Sequence, residues 1–494
     1  MVCHKVNKKM ISLPPPMHSL SIQNETDRLL SHIKDGISMT FSQRLSLTLR
    51  LSFPAILAQL SSIVMQYIDA AMVGSLGAEA SASIGLVAST TWLFSGLCSA
   101  VVAGFAVQVA HLLGAGENKS ARSVLRQSIT STLIFSTVLA FIGVSISAKL
   151  PVWLGADPSI HEGSALYFRV YSLFLPVLQM NFLASGMLRY SGNMRIPSAA
   201  GVLMCLLDVI FNFFLIFPTR EMHVFGSQVL IPGAGLGIEG AVIGTGLAQM
   251  VVAALLSWFL FTRGRELRLS GEWGSYSPTS KVIKRAVQIG LPMGLEHMMI
   301  CGAQIMTMVI VAPLGVFAIA ANSFAVTAES LCYMPGYGIA DAAATLVGQS
   351  LGAKRVGLAK SFAYLTVGTG MVVMTFMGVL MYLFAPQIIG IMTPVEQIRD
   401  LGAEVLRIEA FAEPMFAASI VAYSVFVGAV DTLVPCLMNL LSIWGVRLTL
   451  AAVLAPKLGL RGVWIAMCIE LCFRGIIFLV RLFKKRWLRR YESV

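Results

Sequence analysis

The sequence predicts an all-α integral membrane protein, with twelve transmembrane helices arranged as two pseudo-twofold related six-helix bundles. The composition is the first observation: 56% of the 494 residues are hydrophobic and only 12% are charged, about half the charged fraction of an ordinary soluble domain. The second is a series of long apolar runs, and the third is a repeat of Pro, Gly and Arg positions between the two halves of the chain. Together they exclude a soluble globular protein, a disordered chain and a disulfide scaffold.

A helix needs about 20 apolar residues to cross the roughly 30 Å hydrocarbon core of a bilayer. Runs of that length predict spans at residues 51–73, 84–112, 127–148, 164–188, 198–217, 236–262, 287–312, 317–350, 360–386, 401–427, 434–456 and 460–483. The chain is therefore predicted to divide into an N-terminal tail (1–45), a first half (46–265), a linker (266–285), a second half (286–484) and a C-terminal tail (485–494).

Most of the 36 Lys and Arg residues lie in segments that would share one side of the membrane. These segments are the two tails and the loops after spans 2, 4, 6 and 8. The positive-inside rule then predicts that both termini and the linker are cytoplasmic, in an inner or plasma membrane. Residues 1–40 are polar and lack the apolar core of a signal peptide, so we expect a solvated tail.

The net charge of +12 does not indicate nucleic-acid binding, because the basic residues punctuate the apolar runs. The eight cysteines form no CxxC pair, so neither a zinc site nor a disulfide framework is predicted. Gly235–Gly240 matches the dinucleotide fingerprint GxGxxG. It opens a predicted membrane span rather than a soluble βαβ unit, so no cofactor is expected.

An internal repeat is the most informative feature of the sequence. At an offset of 238 residues, ordered anchors coincide, and after span 5 the offset falls to 222, which predicts a longer external loop there in the first half. The coinciding anchors are Pro54 with Pro292, Gly77 with Gly315, Gly114 with Gly352, Arg169 with Arg407, Pro176 with Pro414, Pro197 with Pro435 and, at the smaller offset, Gly237 with Gly459. Six spans return the chain to its starting side, so the repeats are parallel and a substrate site between them is expected.

The anchors resemble the multidrug and toxic compound extrusion (MATE) family over about residues 45–485. The first half begins LRLSFPAILAQLSSIVMQYIDAAMVGSLGAEASASIGL (residues 49–86), and the second half contains GIADAAATLVGQSLGAKRVGLAK (residues 338–360). The C-terminal part is similar to the DinF-like branch of that family. The resemblance implies two six-helix bundles that export amphipathic, often cationic organic compounds, driven by entry of Na⁺ or H⁺.

Asp69 is the foremost candidate site residue, because an ionisable residue within a span is costly and is usually functional. It shares one helix face with Gln59, Ser62 and Gln66, so this face is expected to line a wet cavity; a seam of hydrogen bonds between helices is the alternative. Asp69 also matches the span-1 acid that carries the proton or cation in the family.

Asp208 and Asn212 are one helical turn apart in span 5. The family usually has Asn-x3-Asp at this point, and here the order is exchanged, so the ion preference stays open between H⁺ and Na⁺. Carboxylate and amide oxygens are hard ligands that suit Na⁺. We expect Asp69, Asp208 and Asn212 to form one coupling site in the first half.

Three acids of the second half, together with Gln66 of the first half, are further candidates for a substrate or second ion site. Glu296 lies one turn before the position where some family members have an acid, so it is a candidate, although structural pairing with a cytoplasmic Lys or Arg is the favoured role. Glu329 and Asp341 have no acidic counterpart in the first half. The remaining acids are predicted to be structural or solvated: Glu409 and Glu413 paired with Arg407, Glu470 with Arg447 and Arg474, and Asp431 in a solvated turn.

The resulting hypothesis is a monomeric, multi-pass multidrug efflux antiporter whose partners are lipid and small amphipathic organic compounds, with no cofactor beyond the coupling ion. A flippase for lipid-linked saccharides is the same-class alternative, although few Arg residues lie in the middle of spans to hold a pyrophosphate. A membrane-embedded enzyme is less favoured, since it would need paired catalytic motifs on facing helices.

Overall fold

The computed structural model describes residues 17–224 and 227–492, and most of this part of the chain is helical. Ten of its helices are individually long and apolar enough to cross a membrane, and two bent pairs raise the number to twelve if each pair forms one span. The two bent pairs coincide with predicted spans 4 and 10. The fold-class prediction is confirmed.

The helices and strands follow one another along the chain, with residues 263–279 as a longer connection between α9 and α10. The helices are α1 (Met17–Lys34), α2 (Phe41–Gly74), α3 (Ala78–Gly114), α4 (Asn118–Ile146), α5 (Leu150–Trp153), α6 (His161–Leu173), α7 (Leu175–Tyr190), α8 (Arg195–Ile216), α9 (Ile238–Thr262), α10 (Ser280–Val311), α11 (Val316–Gly352), α12 (Val356–Met392), α13 (Glu396–Ala410), α14 (Glu413–Gly428), α15 (Leu433–Leu440), α16 (Leu448–Leu458), α17 (Leu460–Phe483) and α18 (Arg489–Glu492). Single 3₁₀ turns lie at Pro158–Ile160, Ala312–Leu314 and Arg486–Leu488, and a π-helical turn, Leu441–Arg447, joins α15 to α16.

The predicted external loop after span 5 is a β-hairpin. Strand β1 (Pro218–Val224) pairs antiparallel with β2 (Ser227–Ala234), and the Thr219 hydroxyl exchanges hydrogen bonds with the backbone of Gly233. We call the end of the bundle that carries this hairpin the hairpin face. The opposite end, which carries α1 and the C-terminal residues, is called the terminal face.

Spans 4 and 10 are both broken near their middle. Helices α6 and α7 meet at 48°, and α13 and α14 meet at 59°. Pro176 and Pro414 lie in the first turn after each break, where proline cannot donate the backbone hydrogen bond that would continue the preceding helix. These prolines are the anchors found at the 238-residue offset, so the bend itself is part of the repeat.

The turns between helices repeat with the same backbone conformation. In each half they contain residues with left-handed φ angles at equivalent places: Gly77 and Gly315, Gly116 and Lys354, Gly192 and Val430, and Gly237 and Gly459. A left-handed φ is uncommon for a side chain such as valine, so Val430 adopts this conformation because the fold requires it. The backbone thus supports the internal duplication, while the exact domain limits stay a prediction.

The two halves pack against each other at the terminal face through a self-complementary contact. The first span of each half packs on the second span of the other half, as α2 on α11 and α10 on α3. A Cβ atom on Gly114 would lie 2.0 Å from the carbonyl oxygen of Gln349, and one on Gly352 would lie 2.0 Å from that of His111. The two backbones can therefore approach this closely only because both positions are glycine.

Side chains beside these glycines also follow the pseudo-twofold relation. Gln349 Nε2 donates to the Tyr190 carbonyl at 2.9 Å, and His111 Nε2 hydrogen-bonds the Gly428 carbonyl at 2.7 Å. Each bond runs from the second span of one half to the end of the fourth span of the other. The halves are consequently closed against each other at this face.

Residues 17–34, expected to be part of a solvated tail, instead form helix α1, which packs on the terminal face. Leu29, Leu30 and Ile33 are almost completely buried and join the largest apolar cluster, which includes residues of α11, α12, α14 and α17. Their spacing places them on one face of a helix. The tail prediction was wrong here because the polar average of the segment concealed this narrow apolar stripe; residues 1–16 lie outside the described part.

Polar contacts tie α1 to both halves and to the linker. Lys34 pairs with Glu266 of the linker, and Arg265 Nη1 lies 2.7 Å from Asp27 Oδ2. On the other side, Arg355 Nη1 in the turn between α11 and α12 donates to the His32 carbonyl at 2.7 Å. Helix α1 therefore bridges the seam between the halves.

Gly114→Ala should open the terminal face. Its added methyl group has no space against the Gln349 backbone, so the two halves must separate. The measurement is the distance between spin labels at Lys119 and Lys354 in a chain whose native cysteines have been replaced, and this distance should increase. Gly357→Ala is the matched control, since a Cβ atom there meets nothing within 4 Å. An unchanged distance in folded Gly114→Ala protein would contradict the close packing.

Candidate functional site

The three residues predicted to form the first-half site lie together. Asn212 Nδ2 donates to Asp69 Oδ1 at 2.9 Å and to Asp208 Oδ2 at 3.2 Å. Helices α2 and α8 pack side by side, which brings Asp69 against the Asp208–Asn212 face of α8. One amide group thus bridges two carboxyl groups within the first half.

The site has oxygen acceptors that no protein donor satisfies. Asp208 and Asn212 are essentially fully buried, and Asp208 Oδ1 and Asn212 Oδ1 have no hydrogen-bond partner. Both amide hydrogens of Asn212 are already committed to the carboxyl groups. Buried oxygens without a partner are costly, so this arrangement is suited to a proton or a small cation.

Helix α9 forms the third wall of this site, which the sequence analysis missed. A Cβ atom on Gly244 would lie 2.1 Å from Asn212 Oδ1, so only glycine allows the Asn212 side chain its position. The neighbouring Thr245 lies close to the Asp208 carboxyl group. A glycine and a threonine inside an apolar run carry no ionisable signal, although Gly at a close approach of two helices is a known pattern.

The polar face of α2 supports the wet-cavity interpretation. Gln66 is exposed, and Gln59 and Ser62 are half-buried. Within the described residues, none of these three side chains hydrogen-bonds to another helix, and on this face only Asp69 does so, through Asn212. Their face leads along α2 toward Asp69, and the polar surface is therefore continuous with the site.

Glu296 of α10 is buried, but its partner is not the predicted Lys or Arg. Asn439 Nδ2 of α15 donates to Glu296 Oε1 at 2.5 Å, and Glu296 makes no ion pair in the part of the chain that the structure describes. The favoured pairing prediction was wrong because Glu296 faces the interior between α10 and α15. Asn439 Oδ1 has no hydrogen-bond partner, so this pair also has a free acceptor.

Glu329 of α11 is likewise buried, and Asp341 of the same helix forms an ion pair. Asp341 Oδ2 lies 2.6 Å from Arg189 Nη1 of α7, which joins the two halves toward the terminal face. The Asp341 carboxyl group is therefore paired at the closed interface between the halves. It does not belong to the first-half site.

The predicted ion pairing of Glu409 and Glu413 with Arg407 is wrong. Both acids are fully buried, and none of their four carboxyl oxygens has a hydrogen-bond partner. Arg407 instead donates to the Tyr382 carbonyl at 3.3 Å. Residues two apart on a helix point to different sides, which explains why Arg407 does not reach Glu409.

The ion pairing predicted for Glu470 is confirmed. Arg447 and Arg474 lie 3.1 and 3.0 Å from its carboxyl oxygens, and the Ser442 hydroxyl donates to it at 2.6 Å. Ser442 and Arg447 are five residues apart within the π-helical turn, whose wider winding brings them to the same side. Both carboxyl oxygens of Glu470 therefore have hydrogen-bond partners, in contrast to those of Glu409 and Glu413.

Asp431, expected to be solvated, forms an ion pair. It lies 2.5 Å from Arg481 Nη2 near the end of α17. The two residues are 50 positions apart in sequence, so no local pattern could have revealed the contact.

The comparisons with known proteins agree on one family. The MatE family model matches residues 54–214 and again residues 292–453. These two matches begin at Pro54 and Pro292, the first pair of anchors in the repeat, and together they cover more than half of the chain.

The chain belongs to the MATE family.

Relatives and solved structures of this family match over almost the whole chain. The probable multidrug resistance protein NorM of Thermotoga maritima is 25% identical over 453 residues, covering 90% of this chain and 93% of that protein. A crystal structure of MATE in complex with MaL6 superimposes with a TM-score of 0.82 at 19% identity, covering 91% of this chain and 98% of that one. An outward-facing MATE family transporter of the MOP superfamily gives 0.81 at 20% identity, covering 90% and 96%.

The family assignment confirms the resemblance, whereas the DinF-like branch stays a prediction. The Gly235–Gly240 run does not have the structural setting of a dinucleotide site. This run follows an antiparallel hairpin rather than a parallel strand, and a Cβ atom on Gly240 would lie 2.5 Å from the Leu215 carbonyl oxygen. Its glycines therefore serve the packing of α9 against α8.

A metal site of the usual kind is not present in the described residues, where no group of three His, Cys, Asp or Glu side chains could hold an ion. The first-half site has only two carboxyl groups and one amide. Any bound Na⁺ would have to complete its oxygen shell with other protein oxygens or with water.

Gly244→Ala should disable the first-half site without removing any of its polar groups. The new methyl group would displace the Asn212 side chain and so break the bridge between Asp69 and Asp208. Dye efflux from cells should fall severalfold at an unchanged protein level. Gly201→Ala on α8 is the control, because its Cβ atom meets only Ala58 at 3.6 Å, and it should transport normally. Equal efflux by both variants would show that transport does not depend on the position of the Asn212 side chain.

Proposed function

We propose that this protein is a multidrug efflux transporter that exports amphipathic, often cationic organic compounds in exchange for H⁺ or Na⁺. Family membership supports export, and the relative from Thermotoga maritima is named a probable multidrug resistance protein. The observation that carries the proposal is the buried group of Asp69, Asp208 and Asn212 with its two unsatisfied oxygens.

The chemistry of this group is that of an ion carrier. Two adjacent carboxyl groups cannot both be ionised in a poorly solvated site unless a positive species lies between them. A shared proton supplies that species, and Na⁺ is the alternative, with the Asn212 carbonyl oxygen as an additional ligand. Binding or release of the ion changes the charge at Asp69 of α2. Asp69 lies next to Gln66 on the polar face of this helix.

Alternating access supplies the coupling. The close contact at Gly114 and Gly352 seals the terminal face, whereas Gln66 on the polar face of α2 is exposed. We infer that this conformation is closed toward the cytoplasm, since Arg122, Arg265 and Arg355 lie at the terminal face and basic residues favour the cytoplasmic side. The protein then acts as a monomer in the plasma membrane, with both termini in the cytoplasm.

The flippase alternative is disfavoured by the partners of the mid-span arginines. Arg447 and Arg474 are both committed to Glu470, so neither is available for a pyrophosphate. The enzyme alternative is disfavoured too, because the family consists of transporters.

Asp69→Asn should abolish uphill efflux. The substitution keeps the size of the side chain and removes the charge that binds the ion, so the gradient can no longer bias one conformation over the other. Efflux should be measured in proteoliposomes with Na⁺ and pH gradients imposed separately, and the gradient that drives the wild type identifies the ion. Ser61→Ala, on the same helix, is the control. Wild-type pumping by Asp69→Asn under both gradients would refute the first-half site, and Glu296 and Glu329 would be tested next.

The orientation can be tested with a reporter that is active only outside the cytoplasm. Fused after Val494 it should be silent, and inserted in the hairpin between β1 and β2 it should be active. The opposite pattern would invert the topology and place the sealed terminal face outside the cell.

A further inference from the structure

A groove on the outside of the bundle lies between the start of α2 and the first half of α12. It has a volume of about 650 Å³ and is lined mainly by apolar side chains, with one guanidinium group at its terminal-face end. The lining includes Phe41, Arg44, Leu49, Tyr364, Gly368 and Val372. Both helices are membrane spans, so the groove faces the lipid rather than the space between the halves.

The equivalent position of the other half is covered by protein. Twofold-related to α12 is α4, where Arg126 Nη2 donates to the Glu272 carbonyl at 3.1 Å and Gln127 Oε1 accepts from the Thr279 backbone at 2.9 Å. The linker between the halves thus lies over α4. The segment equivalent to the linker is the one that precedes α2. It forms α1, which instead packs over α11 and contacts Glu266. The groove therefore lies on α12 at the position where its counterpart α4 is covered by the linker.

The terminal-face end of the groove is basic. Arg44 forms no ion pair among the described residues, and its Nε lies 3.4 Å from the carbonyl of Thr40 in its own helical turn. Tyr364 of the groove stacks on Phe483 with ring centroids 5.7 Å apart. Phe483 is followed by Lys484, Lys485 and Arg486, which are exposed. Positive charge therefore collects where a lipid headgroup would lie.

The rest of the groove has the length and character of an acyl-chain site. Its lining on α12 extends from Ser361 to Val373, about 18 Å along a helix, which is close to half of a bilayer with its interfacial layer. Val372 and Leu49 are exposed there. A Cβ atom on Gly368 meets nothing within 4 Å, so there is open space at the centre of the groove.

We propose that this groove binds an anionic phospholipid from the terminal-face leaflet. Its phosphate lies at Arg44, and one acyl chain lies along Leu49, Gly368 and Val372. The charge at one end and the apolar, membrane-embedded remainder favour a lipid over a soluble ligand. This proposal does not depend on the transport function or on the orientation of the protein.

The test is a lipid titration of the purified, delipidated protein by native mass spectrometry, with phosphatidylglycerol compared with phosphatidylcholine. Wild-type protein should bind one phosphatidylglycerol more tightly than the others. Arg44→Gln should weaken that binding about fivefold, as expected for one cation near an anionic headgroup, and leave phosphatidylcholine binding unchanged. Gly368→Leu fills the groove and should weaken the binding of both lipids.

Two matched controls make the test specific. Gly357→Leu adds the same side chain to α12 at a position that is also open but outside the groove lining. Arg268→Gln removes one exposed positive charge from the linker. Both should bind like the wild type. The proposal is overturned if Arg44→Gln and Gly368→Leu retain the tight lipid, or if Arg268→Gln weakens binding as much as Arg44→Gln, which would indicate diffuse charge attraction.

Discussion

Lipid offers no hydrogen bonds, so a polar side chain within the bundle is costly unless it finds a partner inside the protein. Glu470 meets this requirement with two arginines and a serine, and Asp341 meets it with Arg189. The bridge from Asn212 to Asp69 and Asp208 meets it only in part, because two buried oxygens are left over. The remaining need for positive charge distinguishes this group from the structural ion pairs.

The duplication separates what the fold requires from what the function requires. Bends, left-handed turns and the Gly114–Gly352 contact recur in both halves because each of them is needed to pack six helices and join the halves. The acids do not recur: the residues equivalent to Asp69 and Asp208 are Thr307 and Val446, and the residue equivalent to Glu329 is Thr91. Asp69 therefore does not belong to the packing pattern that both halves share, and unlike Asp341 and Glu470, which also lack an acidic counterpart, it has no arginine partner among the described residues.

The sequence was sufficient where the signal is local and periodic. Apolar runs predict the spans, Pro and Gly anchors predict the repeat, and the spacing of Asp208 and Asn212 predicts their shared face. It was insufficient where the outcome depends on contacts between distant segments, as for Asp431 with Arg481 or Gly244 against Asn212. Helix α1 is intermediate, since Leu29, Leu30 and Ile33 have helical spacing but lie in a polar segment. The error at Glu409 was avoidable, because residues two apart do not face each other on a helix.

Sealing of the terminal face has an energetic consequence for transport. Any rocking motion that separates the halves there must break the paired bonds of His111 and Gln349 and part the glycine backbones. Helix α1 adds to this barrier, because it is bound to the linker through Lys34 and to the second half through Arg355, so it must release one of them. The ion can shift the equilibrium only by the difference between its affinities for the two conformations, and a nearly complete switch needs about 5.5 kcal/mol. A buried group that bridges α2 to α8 is well placed to supply such a difference, since α2 is also the helix that packs on the opposite half.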